Sequence, residues 1–374
     1  ARAGEIQIVV GARSALFTGT YPHSNGSWAN SMPLGDNVKT VGQRLSDADI
    51  ATAYIGKWHL DGGDYFGLGR CPQGWDPDYW YDMRCYLEEL SDADRVRSRK
   101  FQTSFDDGLT EDFTFGHRCS NRAVDFLEKK GADPFLLVVS YDEPHGPFVC
   151  PRPYCEMYKD YEFPKSPNVW DTLEGKPEHQ HAWAGDRRER DREALKIMRP
   201  DLFGCNSFVD YEIGRVLEAV EQHAPDALVI YTSDHGDMLS SHCLGGKGPV
   251  MYDEITRVPF IVRWPETAPE GALAAEIASH IDVVPTIMDF MGLPIPKLLE
   301  GRSVLDTFRD PSARQNDVVF MEFNRYEIDH DGFGGFQPVR SAFDGRYKLV
   351  VNLMVTDELY DLEEDPGEMT NLID

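Results

Sequence analysis

Leu228-Val-Ile-Tyr-Thr-Ser-Asp-His-Gly-Asp-Met238, followed by Gly245-Gly-Lys-Gly248, is the stretch whose reading decides the fold. The apolar, β-rich run Leu228 to Tyr231 stops abruptly at Ser233-Asp-His-Gly236. That pattern predicts a buried parallel strand delivering polar side chains to its carboxyl end. In open α/β sheets the ligand crevice lies just outside such strand ends. Asp234 and His235 are therefore candidate metal ligands, one hard and one borderline. Gly236 would allow a tight turn, and Lys247, flanked by glycines, would bring a cation to the same crevice. An ordinary strand followed by an Asx turn is the plainer alternative.

Two further strands end in the same way. Ala51 to Ile55 runs into Gly56-Lys-Trp-His59, where period-2 alternation would put Lys57 and His59 on one side. A lysine and a histidine sharing a face suit an anionic reaction centre, one as fixed charge and one as acid or base. Pro134 to Tyr141, the clearest apolar strand, runs into Asp142-Glu-Pro-His-Gly-Pro147, which frames His145 rigidly. Upstream, Arg13 to Thr18 is expected to form a short helix ended by Gly19, with a turn over Pro22 to Gly26. A helix start offers N–H groups to an anion, and Arg13 adds a bidentate fork. Helices are expected over 38–45, 115–130 and 203–222, which completes a βα rhythm and an α/β fold class.

Residues 61–112 are rich in Gly, Pro, Asp and aromatics. They read as an excursion over the sheet edge, either a pocket wall or a loop with its own aromatic core. Arg187 to Arg192 reads as a solvated helix face. A strand is expected at 258–263, and His280-Ile-Asp282 opens a helix over 283–291. After Gly292 short strands replace the βα units, at 318–322, 346–351 and 358–362. The expected organisation is a catalytic α/β domain over 1–296 and an α+β subdomain with a small antiparallel sheet over 297–374. Asn324 and Arg325, with the glycine-rich stretch His330 to Gly335, are candidates for substrate contacts.

Composition limits the partners. The 374 residues carry a net charge of −27, which argues against nucleic acid or an anionic membrane surface. An anionic substrate would have to meet a local cluster of cations or a metal. No run of about 18 apolar residues occurs, so no membrane span is expected. Seven scattered cysteines without a CxxC pair read as thiols of a reducing compartment, hence a cytoplasmic expectation with the periplasm as alternative. Ala1-Arg-Ala-Gly4 is neither a start methionine nor a signal peptide.

Taken together, the motifs resemble those of type I, formylglycine-dependent sulfatases of the alkaline phosphatase superfamily, bacterial ones in particular. Gly19-Thr-Tyr-Pro-His-Ser-Asn-Gly26 resembles the family's TGxYPxxxG segment, and Gly56-Lys-Trp-His59 its GKWH motif. Glu143-Pro-His145 is similar to its strand-end histidine, Thr232-Ser-Asp-His-Gly236 to its metal segment, and Lys247-Gly248 to its second lysine. Leu359-Tyr-Asp-Leu362 with Asp365-Pro366 and Asn371-Leu372 resembles its terminus. The resemblance implies an alkaline-phosphatase-like fold: a mixed, mainly parallel sheet sandwiched by helices, with a smaller C-terminal α+β subdomain.

It also implies roles. Asp234 and His235 would bind a divalent metal, calcium first and magnesium as alternative. Lys57 and Arg13 would orient the nucleophile, and His59 would act on it as base. His145 and Lys247 would bind the sulfate and help protonate the leaving oxygen. The substrate would be a small-molecule or carbohydrate sulfate ester. Four residues before Arg13 the family carries a cysteine or serine that becomes formylglycine, whereas Val9-Val-Gly-Ala-Arg13 has valine there. The expectation is that the formylglycine position, and an upstream strand with paired aspartate ligands, are missing from this sequence. The alternatives are a phosphonate or phosphodiester hydrolase of the same superfamily, or an inactive anion-binding homologue.

Overall fold

The computed structural model describes residues 5–7, 12–30, 32–63, 65–189, 191, 194–274, 276–325 and 336–373. The strands are β1 (Glu5–Gln7), β2 (Ala51–Gly56), β3 (Trp80–Tyr81), β4 (Phe135–Ser140), β5 (Val229–Thr232), β6 (Arg257–Arg263), β7 (Val319–Arg325), β8 (Phe336–Phe343), β9 (Tyr347–Asn352) and β10 (Glu358–Asp361). The chain divides into two compact units, one of 39–164 with 196–227, the other of 1–38, 165–195 and 228–374.

The unit of 39–164 and 196–227 holds a parallel sheet in the order β3-β2-β4, with Ala51 opposite Phe135 and Gly56 opposite Ser140. Helix Phe115–Lys130 starts where the Thr114 side chain accepts from the His117 N–H, and it buries Phe115, Cys119, Ala123, Phe126 and Leu127. Each large side chain so buried contributes roughly 1.5–3 kcal/mol. Helix Pro200–His223 packs against it. Gly56 is required where β2 ends. Its φ is +123°, and a Cβ there would lie 1.9 Å from the Ser140 carbonyl oxygen. The excursion over 61–112 contributes to an aromatic core and to a cavity. Trp75 and Trp80 join Tyr54 and Trp58 in an aromatic core, with ring centroids 4.9–6.1 Å apart, whereas Phe66, Leu87, Arg95, Val96, Arg99 and Lys100 line a cavity.

The other unit holds two sheets. The order β1-β6-β5 is antiparallel throughout, Val229 facing Arg263 and Thr232 facing Phe260. The parallel pairing expected for 228–231 is thus corrected, and the strand is only half-buried, with Tyr231 exposed. An apolar run specifies burial, not direction, and no long helix lies between β5 and β6 to serve as a parallel crossover. The second sheet is an antiparallel meander, β10-β9-β8-β7. Strand β8 went unanticipated because Gln337, Pro338 and Arg340 break the apolar pattern, although Val339 and Phe343 are buried. Phe323, Val339, Val350 and Tyr360 of this sheet pack with Met238, Met251, Tyr252 and Ile255. Residues 185–189 form a short 3₁₀ turn rather than the longer helix face expected there, and residues 190, 192 and 193 lie outside the described residues.

No helix among the described residues is long and apolar enough to cross a membrane. The seven cysteines carry no disulfide.

Candidate active site

In the first unit, β2 and β4 end side by side and deliver their polar groups together. The Lys57 N–H donates to the Ser140 carbonyl at 2.8 Å. The Lys57 carbonyl accepts from Tyr54 Oη at 2.6 Å and Ser140 Oγ at 2.9 Å. Trp58, 3% exposed, anchors the next residue in the aromatic core. The backbone is therefore fixed on both sides of the lysine. The extended alternation expected to align Lys57 with His59 is not kept, since His59 takes a φ of +58°. The two side chains meet by another route, the ring of Tyr65. Lys57 Nζ stands 4.1 Å from its centroid, the His145 ring 4.8 Å and the His59 ring 6.0 Å.

Asp142 completes this group. Its Oδ1 lies 3.0 Å from Lys57 Nζ and accepts from the Tyr65 hydroxyl. Burial alone would raise the Asp142 carboxyl, but Lys57, His145 and Tyr65 outweigh it and hold the group below its ordinary value. Burial, then the Asp142 charge, pushes the Tyr65 phenol up. Next door, burial and Asp142 raise Glu143 to about 7, although it accepts the Gly116 N–H at 2.9 Å. Sequence reasoning missed Tyr65 and Asp142. Asp142 follows β4 as Asp234 follows β5, so the strand-end rule could have found it. Nothing in the spacing of Tyr65 marks it.

In the second unit, helix Ala12–Thr18 carries Arg13, whose Nη1 lies 3.3 Å from Asp234 Oδ2. His235 Nδ1 donates to the Gly236 carbonyl at 2.8 Å, which leaves the Nε2 lone pair 2.6 Å from Lys247 Nζ and 3.7 Å from Asp234 Oδ1. Gly236 is needed for close approach rather than for a turn, since a Cβ would meet the Glu254 carbonyl oxygen at 1.9 Å. Behind them His280 donates from Nε2 to the Ser233 carbonyl at 2.9 Å. Burial, against the pull of Asp234, lowers its pKa to about 4. Its Nδ1 is buried without a hydrogen-bond partner among the described residues. Sequence reasoning placed His280 only as a helix start.

A carboxylate oxygen and an imidazole lone pair on adjacent residues, with the imidazole oriented by a backbone carbonyl, fit part of a divalent-metal donor set. They do not select calcium, whose usual ligands are all oxygen. Another carboxylate–histidine group, Glu111, His117 and Glu212, lies in the unit of 39–164 and 196–227. There Arg215 Nη1 is 2.7 Å from Glu212 Oε2 and 3.2 Å from His117 Nδ1, much as Arg13 and Lys247 stand against Asp234 and His235.

Asn324 and Arg325 lie within β7 rather than in a loop, and Asn324 Oδ1 accepts from Arg340 Nη2 at 2.8 Å. The stretch His330 to Gly335, expected to accompany them, lies outside the described residues, as does Val9.

Residues 10–293 match the sulfatase family, and residues 247–374 match the C-terminal region of N-sulphoglucosamine sulphohydrolase. The chain belongs to the sulfatase family. It is 46% identical over 370 residues to an Escherichia coli protein named uncharacterized sulfatase YidJ, covering 97% of this chain and 73% of that one. It is 24% identical to an N-acetylglucosamine-6-O-sulfatase of Bacteroides thetaiotaomicron, over 96% of this chain and 73% of that one. The fold is shared with BT4656, solved in complex with its substrate D-glucosamine-2-N,6-O-disulfate. The TM-score is 0.77 at 20% identity, over 99% of this chain and 86% of that one. As a sulfatase the protein is a hydrolase of sulfuric esters, with an alkaline-phosphatase-like fold.

Proposed function

We propose that this sulfatase cleaves the S–O bond of a carbohydrate sulfate ester, by attack of a formylglycine hydrate assisted by a divalent metal. The observation that carries the reading is the gathering of Lys57, His59 and His145 around one aromatic ring at the ends of β2 and β4. The grouping of Arg13, Asp234, His235 and Lys247 supports it. Lys57, paired with Asp142, offers a fixed positive charge to the nucleophile, and His59 accepts its proton. His145 and Lys247 neutralise the sulfuryl oxygens and deliver a proton to the leaving oxygen. A divalent ion held by Asp234 and His235 would supply further charge to the transferring sulfuryl group. Asn324 and Arg325 are proposed substrate contacts. A carbohydrate substrate is supported by the relatives whose names specify sulfated glucosamine.

Hydrolysis of a chromogenic aryl sulfate, with peptide mass spectrometry over the region before Arg13, tests the proposal. Turnover together with a formylglycine mass is the expected result. Absence of turnover with an unmodified valine at position 9 would leave an anion-binding homologue. Faster turnover of an aryl phosphodiester than of the aryl sulfate would transfer the reading to phosphodiester hydrolysis.

A further inference from the structure

The loop between His235 and Lys247 is strained backbone with a buried histidine at its apex. It leaves His235 at the end of β5 and returns at Lys247, whose Nζ stands 2.6 Å from His235 Nε2. The Met238 N–H donates to the Gly246 carbonyl at 2.9 Å and closes the loop at its base. In between, Leu239, Ser240, His242 and Cys243 all take a positive φ, from +43° to +76°. Residues with a Cβ rarely adopt that conformation, and it persists only where the surroundings over-determine it. Here the fully buried His242 does so.

The imidazole is clamped on three sides. Its Nδ1 lies 2.6 Å from Asp171 Oδ2. Burial would raise the Asp171 carboxyl, but the hydrogen bond from His242 and the charge of Lys176 outweigh it and hold the group below its ordinary value. Asp171 is therefore the acceptor and Nδ1 the donor. Asn168 fixes the other nitrogen. Its Oδ1 accepts from Ser166 Oγ, and its Nδ2 donates to Glu254 Oε1 and, at 3.3 Å, to His242 Nε2. The ring lies flat on that of Tyr252, with centroids 3.7 Å apart and planes 6° from parallel. Cys243 Sγ follows its neighbour and donates to the Asp171 carbonyl at 3.3 Å.

Met238 and Leu244 also bury their side chains, but apolar packing alone tolerates more than one path of the chain. A fully satisfied buried polar network selects one. The path matters for Lys247, because a flexible four-carbon stem places its ammonium only as well as the backbone that carries it.

We infer that His242 is a positioning residue for Lys247: its imidazole, clamped by Asp171, Asn168 and Tyr252, fixes the loop 238–246 and thereby the place of the lysine beside His235. The catalytic consequence rests on the proposed role of Lys247 in neutralising the sulfuryl oxygens and protonating the leaving oxygen.

His242→Phe keeps a ring against Tyr252 and removes both nitrogen contacts. Asp171 retains the Lys176 ammonium 3.8 Å away, so its charge is not stranded by the change. His242→Asn keeps an N–H donor and a residue type that tolerates positive φ. The first readout needs no turnover: acetylation of Lys247 by acetyl N-hydroxysuccinimide, read by peptide mass spectrometry, with the exposed Lys129 as reference. His242→Phe should speed the labelling of Lys247 several-fold and leave Lys129 unchanged, with His242→Asn between it and the wild type. The second readout is kinetics on para-nitrophenyl sulfate and phenyl sulfate. His242→Phe should lower kcat roughly ten- to a hundredfold with little change in KM, as a lysine displaced by about an ångström would. The loss should be greater on phenyl sulfate, whose poorer leaving group depends more on protonation. In a Lys247→Ala background the same substitution should bring no further loss. If His242→Phe does not fold, His242→Asn decides by the same cycle. Unchanged labelling in a folded variant, or a loss in the Lys247→Ala background as large as in the wild type, overturns the inference. A wild type that turns over no sulfate ester sinks the functional reading instead, and the labelling alone then decides whether His242 positions Lys247.

Discussion

One carboxylate oxygen, Oδ1 of Asp142, serves both Lys57 and Tyr65: the ammonium lies 3.0 Å away and the phenol donates to the same atom. The Lys57 and Asp142 side chains are 9% and 8% exposed. At that burial the pair is sheltered from screening, and removing one member strands the other. Asp142→Asn is expected to destabilise the protein by about 3–5 kcal/mol. It should also lower kcat on an aryl sulfate, since Lys57 loses the group that holds its charge in place. A double-mutant cycle with Lys57→Met, read by urea denaturation, should give a coupling of about 1–3 kcal/mol. A coupling near zero would show that the contact has no energetic content.

Glu143 makes a pH prediction of definite sign. Burial and Asp142 raise its carboxyl from 4.5 to about 7 in the folded protein. The folded state therefore binds more protons than the unfolded state between those values. Its contribution to stability is full below the unfolded pKa and is lost as pH rises through about 7. At 1.36 kcal/mol per pKa unit the loss is roughly 3 kcal/mol. Relative to Glu143→Gln, the wild type should lose about that much between pH 4 and pH 8.5 in urea titrations. Parallel curves for the two proteins would remove Glu143 as the titrating group.

Most of what the sequence made legible comes from strand ends. Runs of apolar residues stopped by charged ones located β2, β4 and β5, and with them Lys57, His145, Asp234 and His235. Helix Phe115–Lys130 coincides with the expected 115–130 because its buried positions repeat at helical spacing. What was not legible is what depends on the third dimension. The direction of β5 is set by its partner, not by its own side chains. His59 reaches Tyr65 through a positive φ that period-2 alternation does not foresee. Tyr65 ties Lys57 and His59 to Asp142 and His145, which lie far along the chain, and β8 is hidden by its own polar residues and Pro338.

The metal prediction has a readout independent of turnover. If Asp234 and His235 contribute to a divalent site, calcium or magnesium should raise the melting temperature of the wild type by several degrees at saturating concentration. Asp234→Ala should abolish that shift, and a chelator should reverse it in the wild type. The same variant releases Arg13 from its 3.3 Å contact, so its activity should not be recovered by added metal. Equal metal-induced shifts in wild type and variant would place any ion elsewhere.

Lys348 tests how the C-terminal sheet is secured. Its ammonium is fully buried, donating to the Met251 carbonyl at 3.0 Å, to Glu368 Oε1 at 2.9 Å and to Asp253 Oδ1. Glu368 in turn accepts the Asp253 N–H at 2.7 Å, and Lys176 donates to the Glu368 carbonyl and to Tyr360 Oη. Lys348→Met keeps the length of the side chain but leaves two carboxylates near one another without their shared cation. It should cost about 3–5 kcal/mol, as breaking a buried pair does. Adding Glu368→Gln to Lys348→Met removes one of those charges and should recover a substantial part of the loss, because the penalty lies in the unpaired carboxylate rather than in the missing bond. If the double variant is as unstable as the sum of the two single variants, the network is held by packing of β9 and β10, not by its charges.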